Sequence, residues 1–258
     1  MTITYQSYVN KVVQMTLASN YQQQLKFIQS SPKFKGGEAQ EFPGYTIITT
    51  PAKEDSFNNK INQEITQLQA TLKQQLDDRL FVTVPPETFH ITIADLIWDQ
   101  AYKSAVQENG DFDELLIAEI DKIFANSNEI LTGVESLDLE VVGLSIFPRA
   151  IAVCFIPTEA SYEKLIKLRQ LIYQNKQIIN LGIEQQYDFV GHVTLGYFNE
   201  IPEDLDYEKV ESIVKTVNQE WITNDLPMFN IKQWELRKFS DMLTYTRQPE
   251  WASIKLVK

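Results

Sequence analysis

Apolar residues follow two different spacings along this chain, one typical of helices and one typical of strands. Five segments carry them at every third or fourth position, which predicts amphipathic helices. These helical segments are 4–29, 57–78, 111–127, 159–178 and 203–222. Short runs rich in β-branched and aromatic residues predict strands between them. These runs are 45–51, 81–84, 89–98, 137–142, 150–156 and 188–198, with two or three more within 228–257.

The order of these elements predicts an α+β fold. Neighbouring strands joined by short turns, such as 81–84 with 89–98 and 137–142 with 150–156, favour antiparallel pairing. No change in composition marks a flexible linker. We therefore expect residues 1–258 to form a single bilobal domain rather than two separable ones.

A faint internal repeat relates the two halves of the chain. A strand, a helix and a second strand at 45–51, 57–78 and 89–98 are echoed by the same three elements at 150–156, 159–178 and 188–198. The echo is close at the level of individual residues only in the last strand of each half.

That last strand holds one of the two histidines of the chain in each half. The first sequence is FHITIA at 89–94, and the second is GHVTLG at 191–196. Because strand residues point alternately to opposite faces, each strand presents an imidazole, a hydroxyl and a small residue on one face. Apolar side chains occupy the other face. The small residues, Ala94 and Gly196, are expected to leave an open floor on which a ligand could lie.

This arrangement suits the hydrolysis of a phosphodiester. In-line attack requires one proton to be removed from the nucleophile and another to be delivered to the leaving oxygen. His90 and His192 could do both near neutral pH, because imidazole titrates there. The hydroxyls of Thr92 and Thr194 could donate to the non-bridging oxygens, where charge grows in the transition state.

With these motifs, the chain resembles the 2H phosphoesterase superfamily, which includes 2′,3′-cyclic nucleotide phosphodiesterases and the bacterial proteins called 2′-5′ RNA ligases. His90-Ile91-Thr92 matches the first His-x-Thr/Ser motif of that superfamily, and His192-Val193-Thr194 matches the second. The resemblance implies two pseudo-symmetric lobes, each with an antiparallel sheet, flanking a central cleft with helices packed outside. It also implies a phosphodiesterase that needs no metal or other cofactor and acts on a small nucleotide or RNA-end substrate. Outside the motifs the resemblance is loose, and the helix at 4–29 is expected to be an elaboration.

Composition narrows the partners and the compartment. The formal net charge of −12 disfavours a long nucleic acid, since binders of such polymers normally present a basic face. No apolar stretch is long enough to predict a membrane helix, and the N-terminus has no signal-peptide pattern. A single cysteine excludes an intramolecular disulfide, which suits a reducing compartment. From these features together we expect a cytoplasmic protein without a membrane partner.

Three alternatives stay open at this stage. The two histidines could be partly buried and have a purely structural role, each forming a hydrogen bond with its threonine. The repetition of the motif favours a functional site instead. A zinc site needs three or four strong ligands, and the chain offers few. The same cleft could also bind a nucleotide without turning it over.

Cys154 lies in an apolar strand, so a core position is expected rather than a nucleophilic role.

Four further side chains are candidates for contacts with a base or phosphate: Tyr45, Trp98, Arg149 and Tyr197. For Tyr197, strict alternation predicts instead a position on the core face of its strand.

Overall fold

The structure, a computed structural model, describes residues 3–256, with the backbone alone described at position 128. The helices are Tyr5–Thr16 (α1), Tyr21–Leu25 (α2), Asn59–Gln75 (α3), Asp99–Glu108 (α4), Phe112–Asn126 (α5), Asn128–Leu131 (α6), Glu159–Tyr173 (α7), Lys176–Asn180 (α8) and Tyr207–Ile222 (α9). The strands are Phe34–Lys35 (β1), Glu38–Ala39 (β2), Gly44–Thr49 (β3), Phe81–Thr83 (β4), Thr92–Trp98 (β5), Leu137–Phe147 (β6), Ala150–Pro157 (β7), Gly191–Phe198 (β8), Phe229–Ile231 (β9), Gln233–Phe239 (β10), Tyr245–Thr246 (β11) and Ser253–Lys255 (β12). Within residues 3–256, no helix combines the length and the hydropathy needed to cross a bilayer.

Two five-stranded antiparallel sheets form the framework of the molecule. In the first sheet the order is β11-β10-β3-β5, and β12 also pairs with β10. In the second sheet the order is β4-β8-β7-β6-β9. The predicted α+β class with two antiparallel sheets is confirmed.

The internal repeat is also present in three dimensions. In the first half, β3 pairs directly with β5 in antiparallel fashion, and helix α3 lies between them in the sequence. In the second half, β7 pairs antiparallel with β8 across α7. Each motif strand is therefore the closing strand of an equivalent strand–helix–strand unit, one in each sheet.

The pairing predicted between 137–142 and 150–156 is correct, because β6 and β7 are antiparallel neighbours. The pairing predicted between 81–84 and 89–98 is wrong. Strand β4 crosses to the second sheet, where Phe81 pairs with Phe198 and Thr83 with Gly196. A one-turn 3₁₀ helix at Pro86–Thr88 separates β4 from β5 and prevents a tight hairpin between them.

The N-terminal segment is not the single helix predicted for 4–29. Helix α1 ends at Thr16, the backbone of Leu17 is extended, and a 3₁₀ turn leads into the short α2. Tyr8 is fully buried. Its hydroxyl donates to the carbonyl of Phe155 at 3.0 Å and accepts from the amide of Gly191 at 3.2 Å. The segment thus braces β8 at the residue just before His192, and we propose that it is an integral part of one domain.

Candidate active site

A backbone carbonyl two residues earlier holds each motif histidine. The Nδ1 atom of His90 lies 2.7 Å from the carbonyl oxygen of Thr88, and that of His192 lies 2.8 Å from the carbonyl oxygen of Val190. A carbonyl oxygen can only accept a hydrogen bond, so in each neutral ring Nδ1 carries the proton. The Nε2 atom is therefore the one left to exchange a proton with a ligand.

The two histidines differ in local backbone. His192 lies in a strand, as predicted, although β8 begins at Gly191 rather than at residue 188. The strand predicted from Phe89 instead begins at Thr92, so His90 lies in the segment that leads into β5. There the amide of Thr49 donates to the carbonyl of Ile91 at 3.0 Å, and the Oγ1 atom of Thr49 accepts from the amide of Ile91 at 3.0 Å.

The predicted alternation of faces is confirmed around both motifs. The four motif side chains are half-buried, while their apolar neighbours are at most 3% exposed. The buried neighbours are Phe89, Ile91, Ile93, Val193 and Leu195.

The open floor predicted at Ala94 and Gly196 is wrong. Ala94 is fully buried within its sheet. A Cβ atom at Gly196 would lie 2.5 Å from the carbonyl oxygen of Val82 and 2.7 Å from the ring of Phe81. The small residue in β8 therefore serves the close approach of β4, not a ligand.

A β-bulge directly after each motif threonine explains this difference. Opposite β3, the residue pairing passes from Thr92 to Ala94 and leaves Ile93 without a partner. Opposite β7, the pairing passes from Thr194 to Gly196 and leaves Leu195 without one. An extra residue shifts the face of the residues that follow it, and in β5 a second bulge at Leu96 reverses the shift before Trp98. The two motif strands thus bulge at the same place.

As a result, the residue three positions after each threonine lies on the wall of the motif cavity. These residues are Asp95 and Tyr197. The core position that alternation predicts for Tyr197 is therefore wrong. Its side chain is half-buried, and its hydroxyl lies 3.4 Å from both the Lys33 Nζ and the Met242 Sδ atoms.

Buried polar side chains from the two repeat helices bind the carbonyls of the bulged residues. From α3, Gln69 donates through Nε2 to the carbonyl of Leu195 at 2.7 Å. From α7, Arg169 donates to the carbonyl of Ile93. Each helix thus braces the bulge of the motif strand that belongs to the other half of the chain.

All four predicted residues, His90, Thr92, His192 and Thr194, line one cavity of about 650 Å³. That volume is typical of sites for small organic ligands. The remaining candidates, Tyr45, Trp98 and Arg149, also line it. The indole of Trp98 lies 6.4 Å from the ring of Tyr187, with the two planes 18° apart.

The cavity lowers the proton affinity of both histidines. Burial lowers the pKa of His90 to about 4, and the charges of His192, Arg237 and Lys33 act in the same direction. Burial also lowers the pKa of His192, but the carboxylate of Asp95 opposes that effect. The two rings thus differ in their charged surroundings.

The cavity-wall residues that the sequence did not indicate include Lys33, Asp95 and Tyr187. Lys33 and Tyr187 lie in irregular segments, where no periodicity indicates which side chains point inward. Asp95 could be placed only by knowing the bulge at Ile93.

Within residues 3–256, no group of three or more His, Cys, Asp and Glu side chains is arranged to hold a metal ion. Cys154 is fully buried in β7, and burial raises the pKa of its thiol to about 12. Its place in the core agrees with the position expected from the apolar strand around it.

Comparison with protein families links the first part of the chain to phosphodiesterases. Residues 33–144 match a 2H-phosphodiesterase family described as "Domain of unknown function (DUF1868)". The match spans less than half of the chain and contains the first motif but not the second. The resemblance drawn from the motifs is confirmed by this match. The comparison with curated proteins found no match.

Solved structures with a similar course of the chain include a conserved protein of unknown function, ATU0111, from Agrobacterium tumefaciens strain C58. It is 13% identical, with 89% of this chain and 96% of that chain covered and a TM-score of 0.56. This likeness supports a shared fold. E. coli LigT complexed with 3′-AMP is 15% identical, with 85% of this chain and 100% of that chain covered and a TM-score of 0.40.

Proposed function

We propose that this protein is a metal-independent phosphodiesterase that opens a small nucleotide or RNA-end phosphodiester of the 2′,3′-cyclic phosphate type. The observation that carries the proposal is the pair of histidines on one cavity, each held through Nδ1 so that Nε2 is free to exchange a proton. Two such nitrogens satisfy the demand of in-line hydrolysis for one base and one acid.

The charged neighbours support one assignment of the two roles. The cations around His90 favour its neutral form, which suits a general base. Asp95 favours the protonated form of His192, which suits a general acid. His90 would take a proton from water as the water oxygen attacks phosphorus. The bond from phosphorus to one ribose oxygen then breaks, and that oxygen takes the proton from Nε2 of His192.

A bound phosphodiester would also favour the protonated form of His192, the proposed acid. Its negative charge between the rings raises the pKa of both imidazoles, against the effect of burial. The hydroxyls of Thr92 and Thr194 would donate to the non-bridging oxygens. The faces of Trp98 and Tyr187 offer a stacking surface for a base, since base–aromatic stacking tolerates any nucleobase.

The test is a turnover assay on 2′,3′-cyclic nucleotides with EDTA and without added metal, beside ribose 2′,3′-cyclic phosphate, which has no base. We expect turnover of the nucleotides with a lower KM than for the ribose compound. His90→Ala and His192→Ala should each reduce kcat/KM by at least about 10²-fold while circular dichroism stays unchanged. Wild-type turnover in either variant would falsify the assignment.

Two other outcomes separate this proposal from its rivals. Inactivation by EDTA, with recovery on adding a divalent cation, would indicate a metal enzyme. Tight binding of cyclic nucleotides without any product would indicate a nucleotide-binding module that uses the same cavity.

A further inference from the structure

A lysine that lies outside both motifs projects into the cavity between them. Lys33 belongs to the irregular segment that follows α2, and its side chain is half-buried. Its ammonium lies 4.8 Å from the ring centroid of Tyr197 and 5.1 Å from that of Phe42. These aromatic faces hold the amine in place without neutralising its charge.

The charge of this cation is a second feature of its position. In the part of the chain that the structure describes, Lys33 forms no salt bridge with a carboxylate. A half-buried ammonium loses hydration, and an anion beside it compensates that loss best. The neutral hydroxyl of Tyr197 and two ring faces recover only part of it. The position of Lys33 therefore suits an anionic ligand.

The charge of Lys33 also acts on the two motif histidines, His90 and His192. It lowers the pKa of His90 and of His192, so its ammonium lies within electrostatic range of the two rings. Arg149, a cation that the sequence did indicate as a candidate, is exposed and has no such effect on either ring.

We propose that the Lys33 ammonium binds a non-bridging oxygen of the substrate phosphate and stabilises the charge that grows there in the transition state. This inference rests on the proposed function, since it names a further contact of the same substrate. The bulge after Thr194 enables it, because that bulge brings Tyr197 beside the lysine. Lys33 thereby supplies to the phosphate a full positive charge, which neither threonine hydroxyl can provide.

The first measurement needs no turnover. Binding of inorganic phosphate is followed by calorimetry for the wild type, Lys33→Gln, Lys33→Arg and the control Lys35→Gln, whose lysine is exposed two residues away. We expect Lys33→Gln to weaken phosphate binding by about 10- to 100-fold, the range for a hydrogen bond to a charged group. Lys33→Arg should retain most of the affinity, and Lys35→Gln all of it.

The second measurement uses the two histidines as probes. Because the chain has only two, NMR titration of their ring protons follows both sites separately. Removing the cation in Lys33→Gln should raise the pKa of both rings, whereas Lys35→Gln should leave them unchanged. Folded Lys33→Gln that binds phosphate like the wild type, or wild type that binds none, overturns the inference.

Turnover distinguishes this inference from the proposed function. If cyclic nucleotides are hydrolysed, Lys33→Gln should reduce kcat/KM by about 10- to 100-fold, and wild-type kcat/KM in that variant overturns the phosphate contact alone. If no cyclic nucleotide is hydrolysed but phosphate binding still depends on Lys33, the proposed function fails and the anion contact stands.

Discussion

At the scale of single residues, the two histidines share one hydrogen-bonding pattern and differ in the charges around them. The charged groups that act on the pKa of His90 all lower it, whereas His192 also faces a carboxylate that raises its pKa. A carboxylate beside an imidazole stabilises its protonated form. In the proposed mechanism, that difference makes His90 the base and His192 the acid.

Asp95→Asn tests this difference through the pH dependence of kcat/KM. Activity should rise with pH as His90 loses its proton and fall as His192 loses its own. Without the negative charge of Asp95, the pKa of His192 falls, so the alkaline limb should move to lower pH. The acid limb should move less, because Asp95 is not among the groups that shift His90.

The matched control is Asp99→Asn, which removes a carboxylate from the same cavity wall. Asp99 has a φ of 49°, a left-handed conformation that asparagine tolerates. It does not act on the pKa of His192, so the alkaline limb should stay in place. Equal shifts in both variants would contradict the role given to Asp95.

At the scale of elements, the bulges determine which side chains the motif strands present. They depend on polar braces from helices of the opposite half, Gln69 for β8 and Arg169 for β5. A buried carbonyl that loses its donor costs about 1–3 kcal/mol. The braces therefore link the shape of each motif strand to the packing of the other lobe.

We expect Gln69→Leu to reduce the free energy of unfolding by about 1–3 kcal/mol, because the carbonyl of Val84 loses the donor from Gln69 and the carbonyl of Leu195 keeps only the amide of Val84. Urea unfolding measures the change. Gln67→Leu, on the exposed face of the same helix, should stay within about 0.5 kcal/mol of the wild type. Equal stabilities of the two variants would show that the buried amide does not brace the bulge.

At the scale of the whole molecule, the two sheets are assembled from both ends of the chain. Strand β4, from the first half, completes the second sheet, while β10, β11 and β12, from the C-terminal end, complete the first. Neither sheet can form from a continuous half of the sequence. This interleaving supports our proposal that residues 1–258 act as one domain.

A single cooperative unfolding transition is therefore expected. His90 reports on the first sheet and His192 on the second, so their NMR signals should disappear at the same urea concentration. The calorimetric enthalpy should also equal the van't Hoff enthalpy. Midpoints that differ between the two signals would indicate lobes that unfold separately.

The sequence by itself determined the class of fold, the repeat and the four residues of the motifs. Those conclusions rest on local patterns, since alternation within one strand already separates His90 and Thr92 from the buried Phe89 and Ile91. Such a pattern predicts which residues of one element are buried. In the structure, residues 89–93 alternate between buried and half-buried as the pattern predicts.

Only the tertiary structure decided what lies beyond the motifs. The bulges at Ile93 and Leu195 depend on the register of neighbouring strands, and the sheet that β4 joins depends on a partner more than a hundred residues away. Lys33 reaches the cavity from an irregular segment whose path no periodicity encodes. Contacts between distant segments arise from packing, and a pattern within one segment carries no information about its partner.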